Sequence, residues 1–92
     1  MNYEWDEAKR QANIAKHGVD FADAVGALED PFGLTRDDPT ATGEERFVTL
    51  GRSFSDRIVY VVWTERPPDA IRIISARKAS PDEVRQYQEQ LP

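Results

Sequence analysis

The most informative segment of the sequence is RIVYVVWT, at residues 57–64. It is rich in β-branched and aromatic residues and apolar at consecutive positions, which predicts a strand buried on both faces. Residues 46–52 and 70–77 have the same character, and the turn-forming stretches 53–56 and 65–69 separate the three segments. Together they predict an antiparallel meander whose middle strand is RIVYVVWT.

Helical spacing and capping residues predict two helices before this sheet. The first spans residues 6–17, with Asp6 as its N-cap and Gly18 as its left-handed stop. The positions expected to face inward are Trp5, Ala8, Ala12 and Ala15. Asp20 then caps a second helix, which ends before Asp30 and Pro31.

A third helix is predicted after the sheet, because Ser80, Pro81 and Glu83 combine an N-cap, a proline at the first helical position and a capping box. Residues 32–36 can add one short edge strand. The sequence therefore predicts an α+β fold. It is one domain of residues 1–92 with two N-terminal helices, an antiparallel sheet of three to four strands and a C-terminal helix.

Length and composition exclude several classes of site. The chain has 92 residues, 12 Lys and Arg against 17 Asp and Glu, a net charge of −5, one histidine and no cysteine. Without cysteine, a disulfide, a thiolate zinc site and a cysteine nucleophile are all excluded. A single histidine also argues against a transition-metal site, so we expect no cofactor. Because an acidic protein repels phosphates, any contact with RNA or DNA must be local.

The sequence also indicates the location of the protein in the cell. Residues 1–10 carry no apolar run of the kind found in a secretory signal. The longest wholly apolar stretch, residues 58–63, is far shorter than the roughly 20 residues that cross a bilayer. We therefore expect a cytoplasmic protein that makes no membrane contact.

The predicted hairpins bring three arginines together. If residues 53–56 and 65–69 are the loops, Arg52 lies opposite Arg57, and Arg57 lies opposite Arg77. Like charges placed opposite each other cost up to about 1 kcal/mol per pair, and an anionic partner such as a phosphate would explain them. Alternatively, acidic side chains such as Asp56 neutralise the arginines, or the arginines extend into water. A slip of one residue would move Arg77 to the other face.

His17 is the one side chain whose ordinary pKa suits proton transfer near neutrality. It ends the first predicted helix, beside Lys16, so either residue can instead simply cap the last helical carbonyls. Glu45 can act as a general base if it faces the arginines, although such a charged run is also typical of a solvated strand end. Arg72 falls on the opposite sheet face, where a salt bridge or a partner protein would satisfy it.

Several motifs together resemble those of the BrnT family. They are YEWDEAKRQANIAKHGVDFADA at residues 3–24, GEER at 43–46, Gly51, and IRIISARKAS at 71–80, followed by Tyr87. KHGV after a helix that begins with WD, combined with RIISARKA before a terminal helix, is a two-part signature at the right separation. The resemblance covers nearly the whole chain.

The resemblance implies a RelE-like fold and a toxin of a type II toxin-antitoxin module, an endoribonuclease that stops translation. It also implies a BrnA-like antitoxin partner with a DNA-binding domain, so that the toxin meets DNA only indirectly. The functional positions that it implies are Lys16, His17, Glu45, Arg46, Arg72, Arg77 and Lys78.

We therefore expect metal-independent cleavage of RNA, in which a 2′-hydroxyl attacks the adjacent phosphate. The expected catalytic residues are His17, Lys16, Glu45, Arg57 and Arg77, and the expected RNA-binding residues are Arg46, Arg52, Arg72 and Lys78. The alternative is a noncatalytic binding module, whose arginine cluster holds an acidic segment of a partner or a phosphorylated ligand.

Overall fold

The structure, a computed structural model, describes residues 1–92. Its elements in chain order are β1 (Asn2–Glu4), α1 (Glu7–His17), α2 (Phe21–Leu28), β2 (Leu34–Asp37), β3 (Phe47–Arg52), β4 (Ile58–Arg66), β5 (Ala70–Lys78) and α3 (Pro81–Glu89). The three predicted helices are confirmed, with Asp6 and Asp20 as N-caps and a complete capping box between Ser80 and Glu83. No helix is both long enough and apolar enough to cross a bilayer.

The five strands form one mixed sheet in the order β1-β5-β4-β3-β2. The α+β class and the central position of β4 are confirmed, and β2 is the short edge strand. The predicted sheet of three to four antiparallel strands is wrong, because β1 adds a fifth strand parallel to β5. Strand β1 also precedes the two helices that were expected to begin the chain, and the arrangement is not strictly RelE-like. With three residues, β1 is too short to carry an alternating pattern.

The core lies between α2 and one face of the sheet. Val19 and three residues of α2 are buried against four strand residues: Phe21, Ala24 and Ala27 of α2, and Val59, Val61, Ile73 and Ala76 of β4 and β5. Each fully buried Val, Ile or Phe side chain contributes about 1.5–3 kcal/mol. We call this face of the sheet the α2 face and the opposite one, against which α3 packs, the α3 face.

A glycine in β3 allows α2 to lie this close to the sheet. A Cβ atom built on Gly51 would come within 2.6 Å of the carbonyl oxygen of Ala27. No larger residue fits there unless the helix moves. Gly51, one of the motif residues, therefore has a packing role.

Helix α1 lies along the outer edge of β5. Strand β1 pairs with β5 only from Ala70 to Arg72, which leaves the rest of that edge without a neighbouring strand. The side chain of Asn13 pairs with the open edge, where its Nδ2 donates to the carbonyl of Ala76 (2.8 Å) and its Oδ1 accepts from the amide of Ala76 (3.1 Å). Nδ2 also donates to the carbonyl of Val19 at 2.9 Å. One buried amide thus joins α1, the start of α2 and β5.

The predicted inward face of α1 is wrong except at Trp5, which is half-buried and packs against the core. Ala8, Ala12 and Ala15 are exposed, whereas Asn13 is buried and Ile14 is half-buried. The physical reason is that α1 packs against the edge of a strand, where the groups to be matched are backbone N–H and C=O. A polar amide is needed at such an edge, and hydrophobic periodicity does not detect it.

The predicted strand registers are also wrong. Arg52 pairs with Ile58 and Tyr60 pairs with Arg77, in place of pairings that join Arg52 to Arg57 and Arg57 to Arg77. The first loop closes with a hydrogen bond from the amide of Ser53 to the carbonyl of Arg57 (2.8 Å), and Asp56 adopts a left-handed conformation. It is therefore one residue longer than expected.

The second hairpin differs for two reasons. Strand β4 continues to Arg66, so that only residues 67–69 form the turn, and a bulge in β5 leaves Ile74 without a partner on β4. The resulting shift in register between β4 and β5 places Arg77 on the α3 face, because cross-strand partners share a face and Arg77 pairs with Tyr60. This shift in register therefore separates Arg77 from Arg57, which the sequence predicted to be its partner.

Replacement of Asn13 tests its role in the fold. Asn13→Ala leaves the buried backbone groups of Ala76 and Val19 without partners, at a cost of about 1–3 kcal/mol for each group left unsatisfied. We expect a correspondingly lower free energy of unfolding in urea denaturation. Gln11→Ala, on the exposed side of the same helix, should change it by less than about 0.5 kcal/mol. Equal stability of Asn13→Ala and the wild type would contradict this account.

Candidate active site

The two halves of the sequence signature meet in a shallow cleft between α1 and the edge of β5. The cleft has a volume of about 210 Å³ and is lined by Lys9, Ala12, Asn13, Lys16, His17, Ile74 and Ser75. We call it the α1–β5 cleft. Its lining contains three basic side chains and no carboxylate, in a protein of net charge −5. Neither Lys9 nor Lys16 has a carboxylate within 4 Å of its ammonium group.

His17 occupies the last turn of α1 and is half-buried. The helix is capped by the backbone of Gly18, whose φ is 69° and whose N–H donates to the carbonyl of Ile14. The side chains of His17 and Lys16 make no hydrogen bond that caps the helix. The capping alternative is therefore wrong for both side chains, and both are free to meet a ligand.

Arg57 lies at the same end of α1. Its Nη2 donates to the carbonyl of Gly18, the residue after His17, at 3.4 Å, and lies 3.7 Å from the Asp23 carboxylate. Lys78 pairs with Val59, so its Cβ lies on the α2 face, and it is exposed with no ion pair. Lys16, His17, Arg57 and Lys78 thus share one end of the sheet.

The predicted cluster of Arg52, Arg57 and Arg77 does not form. Arg77 lies on the α3 face, stacks on the ring of Tyr60 at 3.8 Å and bonds both oxygens of Glu83 at 2.7 and 3.0 Å. Arg52 donates to Asp56 at 2.9 Å. Each of the three arginines therefore has an acidic neighbour, as the neutralising alternative states, and for Arg52 that neighbour is Asp56.

The contact with Arg77 strongly stabilises the ionised form of Glu83. The hydrogen bonds from Arg77 are the largest cause that lowers the pKa of Glu83 from 4.5 to about 2, and the amide of Ser80 adds to the effect. Because Glu83 also completes the capping box of α3, Arg77 attaches that helix to the sheet. Arg77 has a structural task that its sequence context does not reveal.

Glu45 and Arg46 lie at the opposite end of the sheet from His17. The carbonyl of Glu45 accepts a hydrogen bond from the Thr64 hydroxyl at 2.7 Å, and Thr64 lies seven residues along the chain from Arg57. In an extended chain that separation is roughly 20 Å. Glu45 and His17 therefore do not meet at one phosphodiester. Arg46 lies 3.6 Å from Glu44.

Arg72 forms a salt bridge with Glu4, with Nη1 2.7 Å from the carboxylate. The pair joins β5 to β1, where the two residues are register partners. Of the two alternatives for Arg72, the salt bridge is present. This contact lies well along β5 from Lys78 and outside the α1–β5 cleft.

Five residues of the cleft were not predicted as site residues, and three of them are polar, namely Lys9, Asn13 and Ser75. Lys9, Asn13 and Lys16 recur at a spacing of four and three, which places them on one stripe of a helix. That spacing is a usable signal in the sequence. Ser75 could not be assigned, because its position depends on the bulge in β5.

The chain is similar to a known protein family and to solved structures. The family model described as the ribonuclease toxin BrnT of type II toxin-antitoxin systems matches residues 5–83. The crystal structure of the Brucella abortus ribonuclease toxin BrnT is similar, with 36% sequence identity and a TM-score of 0.65 over 87% of this chain and 97% of that one. No curated protein matches the chain significantly.

Glu83→Gln tests the attachment of α3 by Arg77. Because the folded-state pKa lies below its ordinary value of 4.5, the carboxylate stabilises the protein above that pH, and the gain is lost as the pH falls toward 2. We expect Glu83→Gln to cost about 1–2 kcal/mol at neutral pH, after allowance for screening at Arg77. The difference from the wild type should shrink on acidification.

The matched control is Glu89→Gln, at an exposed position of α3 that forms no ion pair. It should leave the pH profile of unfolding unchanged. A wild-type protein and a Glu83→Gln variant with parallel profiles from neutral pH down to pH 2 would refute the assignment.

Proposed function

Because this chain belongs to the BrnT family of ribonuclease toxins of type II toxin-antitoxin systems, we propose that it is an endoribonuclease whose active site is the α1–β5 cleft. The observation that carries the proposal is the position of His17. The one histidine of the chain lies in a cleft lined by basic side chains without an acid, where both parts of the sequence signature meet. Such a cleft attracts a phosphodiester even though the whole protein is acidic.

We propose a cleavage that proceeds within the RNA itself. Neutral His17 accepts the proton of a 2′-hydroxyl, whose oxygen attacks the adjacent phosphorus. The bond from phosphorus to the 5′-oxygen then breaks, and that oxygen takes up a proton from water. The hydroxide left behind takes the proton held by His17, which returns the imidazole to its starting form. The products are a 2′,3′-cyclic phosphate and a free 5′-hydroxyl, and no metal is needed for any step.

Basic groups around His17 are suited to stabilise the charge of this reaction. Lys16, in the cleft, and Arg57, at the end of α1, would neutralise the negative charge that grows on the phosphorane oxygens. Lys78 would contact RNA at the same end of the sheet. The remaining expected site residues are engaged elsewhere or distant, and we leave them out of the proposed site: Glu45, Arg46, Arg52, Arg72 and Arg77.

A toxin of this kind acts on RNA in the cytoplasm and inhibits translation, and we propose both for this protein. Its partner would be an antitoxin of the BrnA type, which holds the toxin inactive and provides the contact with DNA. The noncatalytic alternative required a cluster of three arginines, and those arginines are parted between two faces and paired with carboxylates. That alternative has no observation in its favour.

Replacement of His17 tests the proposed chemistry. A proton-transfer group contributes about 10²- to 10⁴-fold, so His17→Ala should slow cleavage of single-stranded RNA by that factor in buffer that contains EDTA. Glu45→Gln, at the other end of the sheet, is the matched control and should cleave at the wild-type rate. An RNA with 2′-deoxyribose at the cleaved step should resist the wild-type protein. Undiminished cleavage by His17→Ala would exclude the proposed role.

A test in cells addresses the toxin assignment separately. Expression of the wild-type chain alone should arrest growth and degrade RNA, and co-expression of the neighbouring antitoxin gene should restore growth. His17→Ala should be harmless at the same level of folded protein. Growth that continues with intact RNA during wild-type expression would contradict the assignment.

A further inference from the structure

Lys9 provides a basic group at the end of the α1–β5 cleft remote from His17. It lines the cleft, is exposed, and has no carboxylate within 4 Å of its ammonium group. We infer that Lys9 forms a second phosphate subsite, which binds the phosphodiester next to the one that is cleaved. The inference rests on the proposed function and deepens it, because it makes the preferred substrate an RNA with at least two phosphates.

The geometry of α1 separates Lys9 from the reacting phosphate. Lys9 and Lys16 are seven residues apart in one helix, so they lie on the same stripe about 10.5 Å apart along the axis. With their side chains extended, the two ammonium groups can therefore contact different phosphates. Two consecutive linkages of a single strand that follows the cleft can reach one lysine each.

The stripe that carries both lysines is held in place by Asn13, which lies between them. Its three hydrogen bonds fix this part of α1 against β5 and the start of α2. The backbones of Lys9 and Lys16 therefore keep a constant separation, although their side chains remain free. A fixed separation is what allows two cations to select a substrate by length.

The acidic groups around α1 do not neutralise Lys9. Arg10 is paired with Glu7 and bonds both oxygens of Asp20, at 2.9 and 3.0 Å. The carboxylate of Asp6 accepts from the backbone amide of Lys9 as the helix N-cap. The cleft side of α1 thus remains wholly basic, whereas a solvated helix face would carry both signs.

The test compares two RNA substrates that share the same cleavable step. One is a dinucleoside monophosphate, with a single phosphodiester, and the other is a hexanucleotide. The measured quantity is kcat/KM for each substrate at several KCl concentrations. The wild-type protein should prefer the hexanucleotide, and its rate on that substrate should depend more steeply on salt.

Lys9→Ala should lower kcat/KM on the hexanucleotide roughly threefold to tenfold and leave the dinucleotide unchanged. It should also reduce the salt slope on the hexanucleotide by about 0.7, the value for one phosphate contact of a single strand. Lys9→Arg should restore most of the loss. A lysine with a purely structural role would affect both substrates alike.

The matched control is Arg36→Ala, which removes one positive charge from β2 at the other edge of the sheet, where Arg36 is exposed and has no ion pair. It should leave both substrates unchanged. The subsite is disproved if Lys9→Ala acts equally on both substrates or on neither, or if Arg36→Ala reproduces its effect. If the wild-type protein cleaves neither RNA, the proposed function is wrong, and the proposed subsite is then wrong as well.

Discussion

The hydrogen bonds of the Asn13 side chain are the interaction on which the rest of this structure depends. Strand β1 covers only the first third of the outer edge of β5, and a helix cannot satisfy the remaining edge with its own backbone. A single amide replaces the missing strand at Ala76, and its third bond fixes Val19 at the entry to α2. The end of α1, with Lys16 and His17, is thereby held against β5, the strand that carries the motif RIISARK.

The same arrangement divides the charges of an acidic protein. Three arginines are used in the architecture of the fold: Arg72 joins β1 to β5, Arg77 attaches α3, and Arg10 joins α1 to the N-cap of α2. Such pairs neutralise carboxylates at short range. The lysines of α1 form no ion pair, so basic side chains line the cleft despite the net charge of −5. A local site of this kind can contact a short stretch of substrate, and it does not require a broad basic surface.

Features that depend on local chemistry could be predicted from the sequence. The caps at Asp6, Asp20 and Ser80 and the stop at Gly18 are set by side-chain and backbone groups within a few residues, and all four are confirmed. The motifs KHGV and RIISARKA likewise led to the correct family. The candidate position of His17 followed from its being the one histidine.

Features that depend on distant contacts could not be predicted. The registers required the left-handed Asp56 and the bulge at Ile74, and neither has a strong sequence signal. A shift of three residues in the β4–β5 register, two from the shorter turn and one from the bulge, separated Arg57 from Arg77, so the supposed arginine site was lost. Strand β1 can be identified only from its pairing with β5. Asn13 faces inward only because β5 has an open edge. Lys9 belongs to the cleft for the same reason.

The measurement that tests the central claim most directly is NMR mapping of a bound, uncleavable RNA. A short single strand with 2′-O-methyl groups would be titrated into isotope-labelled protein while the backbone amides and the His17 imidazole are followed. The account predicts that the largest shifts occur at His17, Lys16, Ile74 and Ser75, the lining of the α1–β5 cleft. Shifts confined to the α3 face around Arg52 and Arg77, or to the end of the sheet around Glu45, would contradict it.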